Sequence, residues 1–217
     1  MSRLVVFDCD GTLVDGQAAI CETMEEAFAA AGLPQPDRNT VRRMVGLSLP
    51  QALRMLAPDA SADQHARALD AYKSGYSGRR TSGRLEEPLF DGIAALIERL
   101  DDAGWLLGVA TGKSDRGLEA CLTTHGIRDK FVTLQTADRH PSKPHPAMLE
   151  AALAEAGVAV SDAVMIGDTS FDTEMARSAG VRAIGVAWGY HKPGELLATG
   201  ACAVAQAPGD LWELING

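Results

Sequence analysis

Short apolar runs recur along this chain with helix-period segments between them, and that alternation limits the possible folds more than any other feature. The runs are Leu4-Val5-Val6-Phe7 and residues 106–110, 131–134, 163–166 and 183–186. The first is short and apolar without interruption, as a strand buried on both faces should be, and the others are similar. Helical patterns over 92–103, 114–125, 146–157 and 171–180 separate the later runs, and several stop at glycine. Such alternation predicts right-handed crossovers and an α/β fold, with a parallel sheet covered by helices on both faces.

One segment breaks the rhythm. Between Asp15 and about Leu85 there are helical patterns but no strand: 18–31, stopped by Gly32 and Pro34, then 39–45, 49–56 and 62–76. A crossover between parallel strands typically needs a dozen or so residues, so this segment is too long to be one. It predicts a helical cap over 16–85, inserted into a core made of 1–15 and 86–217. The hinges are expected near Asp15-Gly16 and in the glycine- and arginine-rich stretch 78–84, whose Arg79, Arg80 and Arg84 read most simply as a solvated linker face.

Composition narrows the function classes. The chain has 217 residues, 46% of them hydrophobic, enough for a sizeable core. Its formal net charge of -9 lacks the basic footprint of a nucleic-acid binder. The four cysteines, Cys9, Cys21, Cys121 and Cys202, form no CxxC pair, so no disulfide framework or zinc site is expected. No apolar stretch approaches the roughly 20 residues that span a bilayer, and the start lacks the pattern of a secretory signal. The expectation is a cytoplasmic protein without membrane or nucleic-acid partners, a monomer or small homo-oligomer.

The chemistry-bearing residues stand where the strands end. The first strand runs into Asp8-Cys9-Asp10-Gly11-Thr12. Residues two apart on an extended chain point the same way, so Asp8 and Asp10 can share one crevice. Paired carboxylates repel unless a cation or a proton separates them, and magnesium is the usual cation beside phosphate. The second strand leads to Thr111-Gly112-Lys113, which offers a hydroxyl, a permissive backbone and a helix start. The fourth delivers Asp168 and, one helical turn later, Asp172; Lys143 lies in a loop before a helix. Three acids, a hydroxyl and a lysine at converging strand ends suit phosphoryl transfer.

Asp8-Cys9-Asp10-Gly11-Thr12-Leu13, Thr111, Lys143-Pro144 and Gly167-Asp168-Thr169-Ser170-Phe171-Asp172 together resemble the four ordered motifs of the haloacid dehalogenase superfamily. The resemblance covers nearly the whole chain. It implies a Rossmann-like core with strand order 3-2-1-4-5, a small phosphate ester as substrate and Mg2+ as cofactor. It also implies that Asp8 is the nucleophile and a metal ligand, and that Asp10 is general acid and base with its backbone carbonyl on the metal. Thr111, Gly112 and Lys143 would hold the phosphoryl oxygens. Asp168 would bind the metal, and Asp172 would support it or bind through water.

The acid at Asp10 separates phosphatases and phosphomutases from dehalogenases, which need no protonated leaving oxygen. Phosphonoacetaldehyde hydrolases use a cap lysine, and this cap has only Lys73. Val41-Arg42-Arg43-Met44-Val45-Gly46 and Ala187-Trp188-Gly189-Tyr190 are similar to stretches of phosphoglycolate phosphatases, while β-phosphoglucomutases share the cap type. Gly16 departs from the serine that many relatives carry there. A phosphatase for a phosphoglycolate-like ester or a sugar phosphate is the first expectation. A phosphomutase is the alternative, and a non-catalytic phospho-aspartate signalling module the remote one. Residues 16–84 carry nine basic against seven acidic residues. A mildly basic cap over an acidic core suits a substrate anionic at both ends, with Arg43, just before Gly46, as the expected carboxylate contact.

Overall fold

The structure is a computed structural model describing residues 2–217. The core contains β1 (Arg3–Phe7), α5 (Ile93–Asp102), β2 (Trp105–Thr111), α6 (Asp115–Thr124), β3 (Phe131–Thr136) and α7 (Ala147–Ala156). It continues through β4 (Ala163–Gly167), α8 (Ser170–Ser178), β5 (Arg182–Val186), α9 (Pro193–Thr199), β6 (Ala201–Ala205) and α10 (Leu211–Asn216). All neighbouring strands are parallel, in the order β3-β2-β1-β4-β5-β6. The expected order is present with a sixth strand added at the edge. Its residues, Ala201-Cys202-Ala203-Val204-Ala205, are small and partly exposed, a weaker apolar run than those of the inner strands.

The strand period of two sorts β1 between two cores. Val5 and Phe7 pack with Ile97, Leu100, Leu118 and Leu122 on one face; Leu4 and Val6 pack with Met148, Leu149 and Met175 on the other. Burying a side chain of this size is worth about 1.5–3 kcal/mol, so a one-residue slip of β1 would reverse both faces at once. The strand order changes direction at β1 and β4, and their carboxyl ends open the crevice where ligands bind such sheets.

The inserted helices are α1 (Gln17–Ala30), α2 (Arg38–Arg43), α3 (Leu49–Leu56) and α4 (Ala62–Thr81). They enclose their own apolar cluster around Ile20, Met24, Phe28, Val41 and Leu53. The two passages between these helices and the sheet run side by side: Asp15 N donates to Pro88 O at 2.8 Å and Phe90 N to Leu13 O at 3.0 Å.

Of the stretch 78–84, only Ser82, Gly83 and Arg84 lie beyond the helix. Helix α4 continues through Gly78, Arg79 and Arg80, although glycine costs a helix about 1 kcal/mol against alanine. Packing against α1 offsets that cost. Arg79 reaches Glu26 at 2.8 Å and Glu22 at 3.6 Å, and a Cβ on Gly75 would meet Thr23 at 3.3 Å. Arg79 is thus a helix-pairing residue rather than part of a solvated linker. No helix among the described residues is long and apolar enough to cross a membrane.

Candidate active site

Asp8 prolongs β1, its N–H donating to Ile166 O on β4 at 2.9 Å. Asp8, Asp168 and Asp172 are buried, and each offers a carboxylate oxygen within 4.8 Å of the others. Lys143, also buried, inserts its ammonium between two of them, 3.0 Å from Asp8 Oδ1 and 2.6 Å from Asp172 Oδ1. One cation against three acids leaves the cluster under-compensated. Burial pushes the Asp8 carboxyl up to about 7 against the pull of Lys143, with Asp172 adding to the rise. Asp168 is also raised, by burial first and then by Asp172 and Asp8.

The hydrogen bonds divide the labour among the acids. Asp168 Oδ1 accepts from the Thr12 hydroxyl and Oδ2 from Tyr190 N, both at 2.9 Å. Asp172 Oδ2 accepts from Thr169 N and Thr169 Oγ1, at 3.0 and 2.7 Å. With Lys143 on its other oxygen, Asp172 anchors the lysine and the start of α8 together. Asp8 Oδ1 accepts from Cys9 N at 2.6 Å, while the buried Asp8 Oδ2 has no hydrogen-bond partner. An unsatisfied carboxylate oxygen beside further carboxylates is the donor set of a hard divalent cation, so these residues fit one.

Asp10 points elsewhere. Its carboxylate lies outside the three-acid cluster and faces Lys113, whose Nζ is 3.0 Å from Asp10 Oδ1 and 2.5 Å from Glu87 Oε1. Tyr76 of α4 donates to the same Glu87 oxygen at 2.7 Å. Burial raises Asp10, Lys113 opposes the rise and Glu87 adds to it. The backbone must pass close here. Gly11 has φ +83°, and a Cβ on it would strike the Asp168 carboxylate.

This arrangement sits on a chain whose residues 5–186 match the model of the haloacid dehalogenase-like hydrolase family. The chain belongs to that family. It is 33% identical to the Probable phosphatase IndB of Dickeya dadantii, over 91% of this chain and 86% of that protein. It is 32% identical to the Tyrosine-protein kinase PtkA of Mycobacterium tuberculosis, covering 94% of this chain and 69% of the relative. The Phosphoglycolate phosphatase of Vibrio parahaemolyticus is 27% identical, over 98% of this chain and 96% of the relative. Among solved structures, the haloacid dehalogenase-like hydrolase SP0104 from Streptococcus pneumoniae superposes with a TM-score of 0.85. It is 28% identical, and 98% of each chain is covered.

Within this haloacid dehalogenase-like frame the cap loop lies directly over the crevice. A Cβ on Gly46, which has φ +95°, would stand 3.2 Å from Thr169 Oγ1 and 3.8 Å from Asp8 Oδ2. Gly112 lies beneath the Gly46 and Leu47 carbonyls with no room for a side chain. Ser48 N donates to Ser142 Oγ at 2.8 Å. His191, whose Nδ1 accepts from Ser170 N at 3.1 Å, carries its proton on Nε2 and donates it to Arg43 O at 3.1 Å. Thr111 is buried at the end of β2, where Oγ1 accepts from Lys113 N at 3.3 Å.

Arg43 does not face the substrate space. Its guanidinium grips Glu195 of α9 at 3.1 and 3.2 Å, outside the cavity beside Asp10. The expected carboxylate contact is corrected accordingly: this arginine already has a carboxylate partner and joins cap to core. The cavity is instead lined by Arg80 and Arg116, with Tyr72 and Tyr76. The sequence reading took Arg80 as solvated, yet Tyr72, Tyr76 and Arg80 recur every four residues and so share one helix face. Glu87 and His191, in irregular segments, carried no periodic signal.

Proposed function

We propose that this chain is a magnesium-dependent phosphatase acting on small phosphomonoesters through an aspartyl-phosphate on Asp8. The observation that carries the reading is the buried Asp8, with one oxygen held by Lys143 and the other without a partner. Asp8 and Asp168 would hold the magnesium ion, with Asp172 behind them and the Asp10 carbonyl as a further ligand. Bound there, the ion neutralises charge on the nucleophile and on the transferring phosphoryl group.

A carboxylate oxygen of Asp8 attacks phosphorus, and the bond from phosphorus to the ester oxygen breaks. Asp10 delivers its proton to that departing oxygen. A burial-raised carboxyl, set apart from the metal cluster, is suited to arriving protonated. In the second half Asp10 takes a proton from water, the hydroxide oxygen bonds to phosphorus, and Asp8 leaves with phosphate released. Lys143 offsets charge on the phosphoryl oxygens; Thr111 and Gly112 supply a hydroxyl and an uncluttered backbone beside them. The cap loop over Gly112 excludes bulk water, which strengthens these interactions.

The test is a phosphate-release screen over a panel of phosphomonoesters, run with magnesium, with calcium and with chelator. Release should require magnesium and fall with calcium, whose longer bonds and larger ligand number misplace the nucleophile. ATP with a tyrosine-containing protein is included, so transfer to an acceptor would register separately from hydrolysis. Full phosphatase activity in demetallated protein would contradict the mechanism.

A further inference from the structure

Beside Asp10 the cap and core form a partly open cavity of about 470 Å³. It falls in the size range of sites for drug-sized ligands. A two-carbon leaving group would leave most of it unfilled. Its cap wall is apolar: Ile20, Met24, Val41, Val45 and Leu49 line it. Tyr72 and Tyr76 add a stacked pair, ring centroids 5.6 Å apart and planes within 13°.

The polar groups on these walls are unevenly matched. Arg80 lies with its guanidinium carbon 5.8 Å from the Tyr76 ring centre and reaches toward Gly117 at the start of α6. Arg116, on the same first turn, lines the core wall. Among the described residues, neither arginine has a carboxylate within ion-pair distance. The acids lining the cavity are Asp10, facing Lys113, and Asp138, which accepts from Asp115 N at 2.9 Å. Elsewhere in the cap, Arg38, Arg43, Arg67 and Arg79 hold carboxylates, while Arg42, Arg54 and Arg84 bond to the neutral side chains of Asn39, Gln51 and Ser82. Arg80 and Arg116 differ in lining an apolar cavity, where a guanidinium without a carboxylate partner can grip an anion.

We infer that the cavity selects phosphomonoesters whose leaving group has an apolar, ring-sized body ending in a second anionic group. The body lies against Tyr72, Tyr76 and the cap aliphatics, and Arg80 from the cap and Arg116 from the core hold the anion. This deepens the proposed phosphatase reading and rests on it. Because the two arginines come from opposite sides of the crevice, an anion held by both also favours the closed cap.

The probes are para-carboxyphenyl phosphate, phenyl phosphate and phosphoglycolate, compared by kcat/KM in magnesium. The carboxyphenyl ester should exceed each of the others by more than tenfold, about 1.4 kcal/mol. Arg80→Ala and Arg116→Ala should each reduce its advantage over phenyl phosphate by tenfold or more, and Arg80→Lys should recover part of it. Arg43→Ala should leave that ratio alone. Equal rates on the two aryl esters, an unaltered ratio in both arginine variants, or phosphoglycolate as the best probe would overturn the inference. Failure of the phosphatase reading looks different: no probe releases phosphate. The site is then read from the Kd of the two aryl esters on Asp8→Asn protein by calorimetry. A tenfold preference for the carboxyphenyl ester, lost in the Asp8→Asn/Arg80→Ala double variant, upholds it; equal affinities overturn it.

Discussion

At the strand ends, Asp8, Asp168, Asp172 and Lys143 are buried and bound to one another or to the backbone, with Asp8 Oδ2 as the unpartnered oxygen among them. Under the cap, a cavity of about 470 Å³ is walled by aliphatic and tyrosine side chains, with arginines that lack carboxylate partners. The first region is pre-organised, so almost any change there leaves a buried charge or donor without its partner. The second is roomy and adaptable, so changes there should redistribute preference among substrates. The two regions meet at Asp10, whose carboxylate opens on the cavity while its neighbour Asp8 faces the acid cluster. Under the proposed mechanism, reaction and selection are divided between strand ends and cap helices, with Asp10 at the boundary.

The largest effect expected from that contrast comes from Lys143. Lys143→Met removes the cation from between Asp8 and Asp172, and breaking such a buried pair typically costs about 3–5 kcal/mol. Denaturant unfolding should show that loss, with phosphate release falling below detection. A stable, active variant would mean that the crevice is less tightly committed than its geometry indicates.

Asp10→Asn sharpens the boundary between the regions. Losing a general acid costs about 10²–10⁴-fold when the leaving oxygen needs a proton. The loss should be greatest for alkyl phosphates and least for para-nitrophenyl phosphate, whose leaving group departs unprotonated. A uniform loss would remove Asp10 from the acid role.

The effect of pH distinguishes the regions without mutation. The raised pKa values of Asp8 and Asp168 mean that the folded protein holds those protons more tightly than the unfolded chain does. Their contribution to stability is complete below the unfolded value of 3.8 and is lost as pH rises through about 7. In chelator, Tm should therefore fall between about pH 5 and pH 8, and magnesium should restore more at the upper end. A flat profile, or one rising with pH in chelator, would contradict the buried, under-compensated cluster.

Arg43→Ala should do least. Its ion pair with Glu195 is exposed, and such pairs contribute about 0–1 kcal/mol. Unfolding free energy should shift within that range. A selective loss for carboxylate-bearing esters would return substrate choice to Arg43 and away from the cavity.

How much of this the sequence disclosed follows the same division. The strand ends were legible because an apolar run followed by Asp-x-Asp-Gly-Thr is a local pattern, and Thr111, Lys143-Pro144 and Gly167-Asp168 follow it in order. The stretch 78–84 looked like a linker because it is rich in glycine and arginine, whereas contacts with α1 hold its first residues, through Thr81, in helix. The sixth strand was missed because its apolar run is alanine-rich and lacks the bulky side chains that mark the inner strands. The partner of Arg43 could not be read at all. Glu195 lies 152 positions away, and only the closed fold brings the two together.

The most direct test of the mechanism is to trap the intermediate. Protein mixed with a phosphomonoester labelled in its phosphoryl group, in magnesium, is quenched in acid during turnover and digested. The account predicts label on the peptide containing Asp8, and both label and turnover absent from Asp8→Asn protein. Steady turnover by Asp8→Asn, or label confined to another residue, would contradict it.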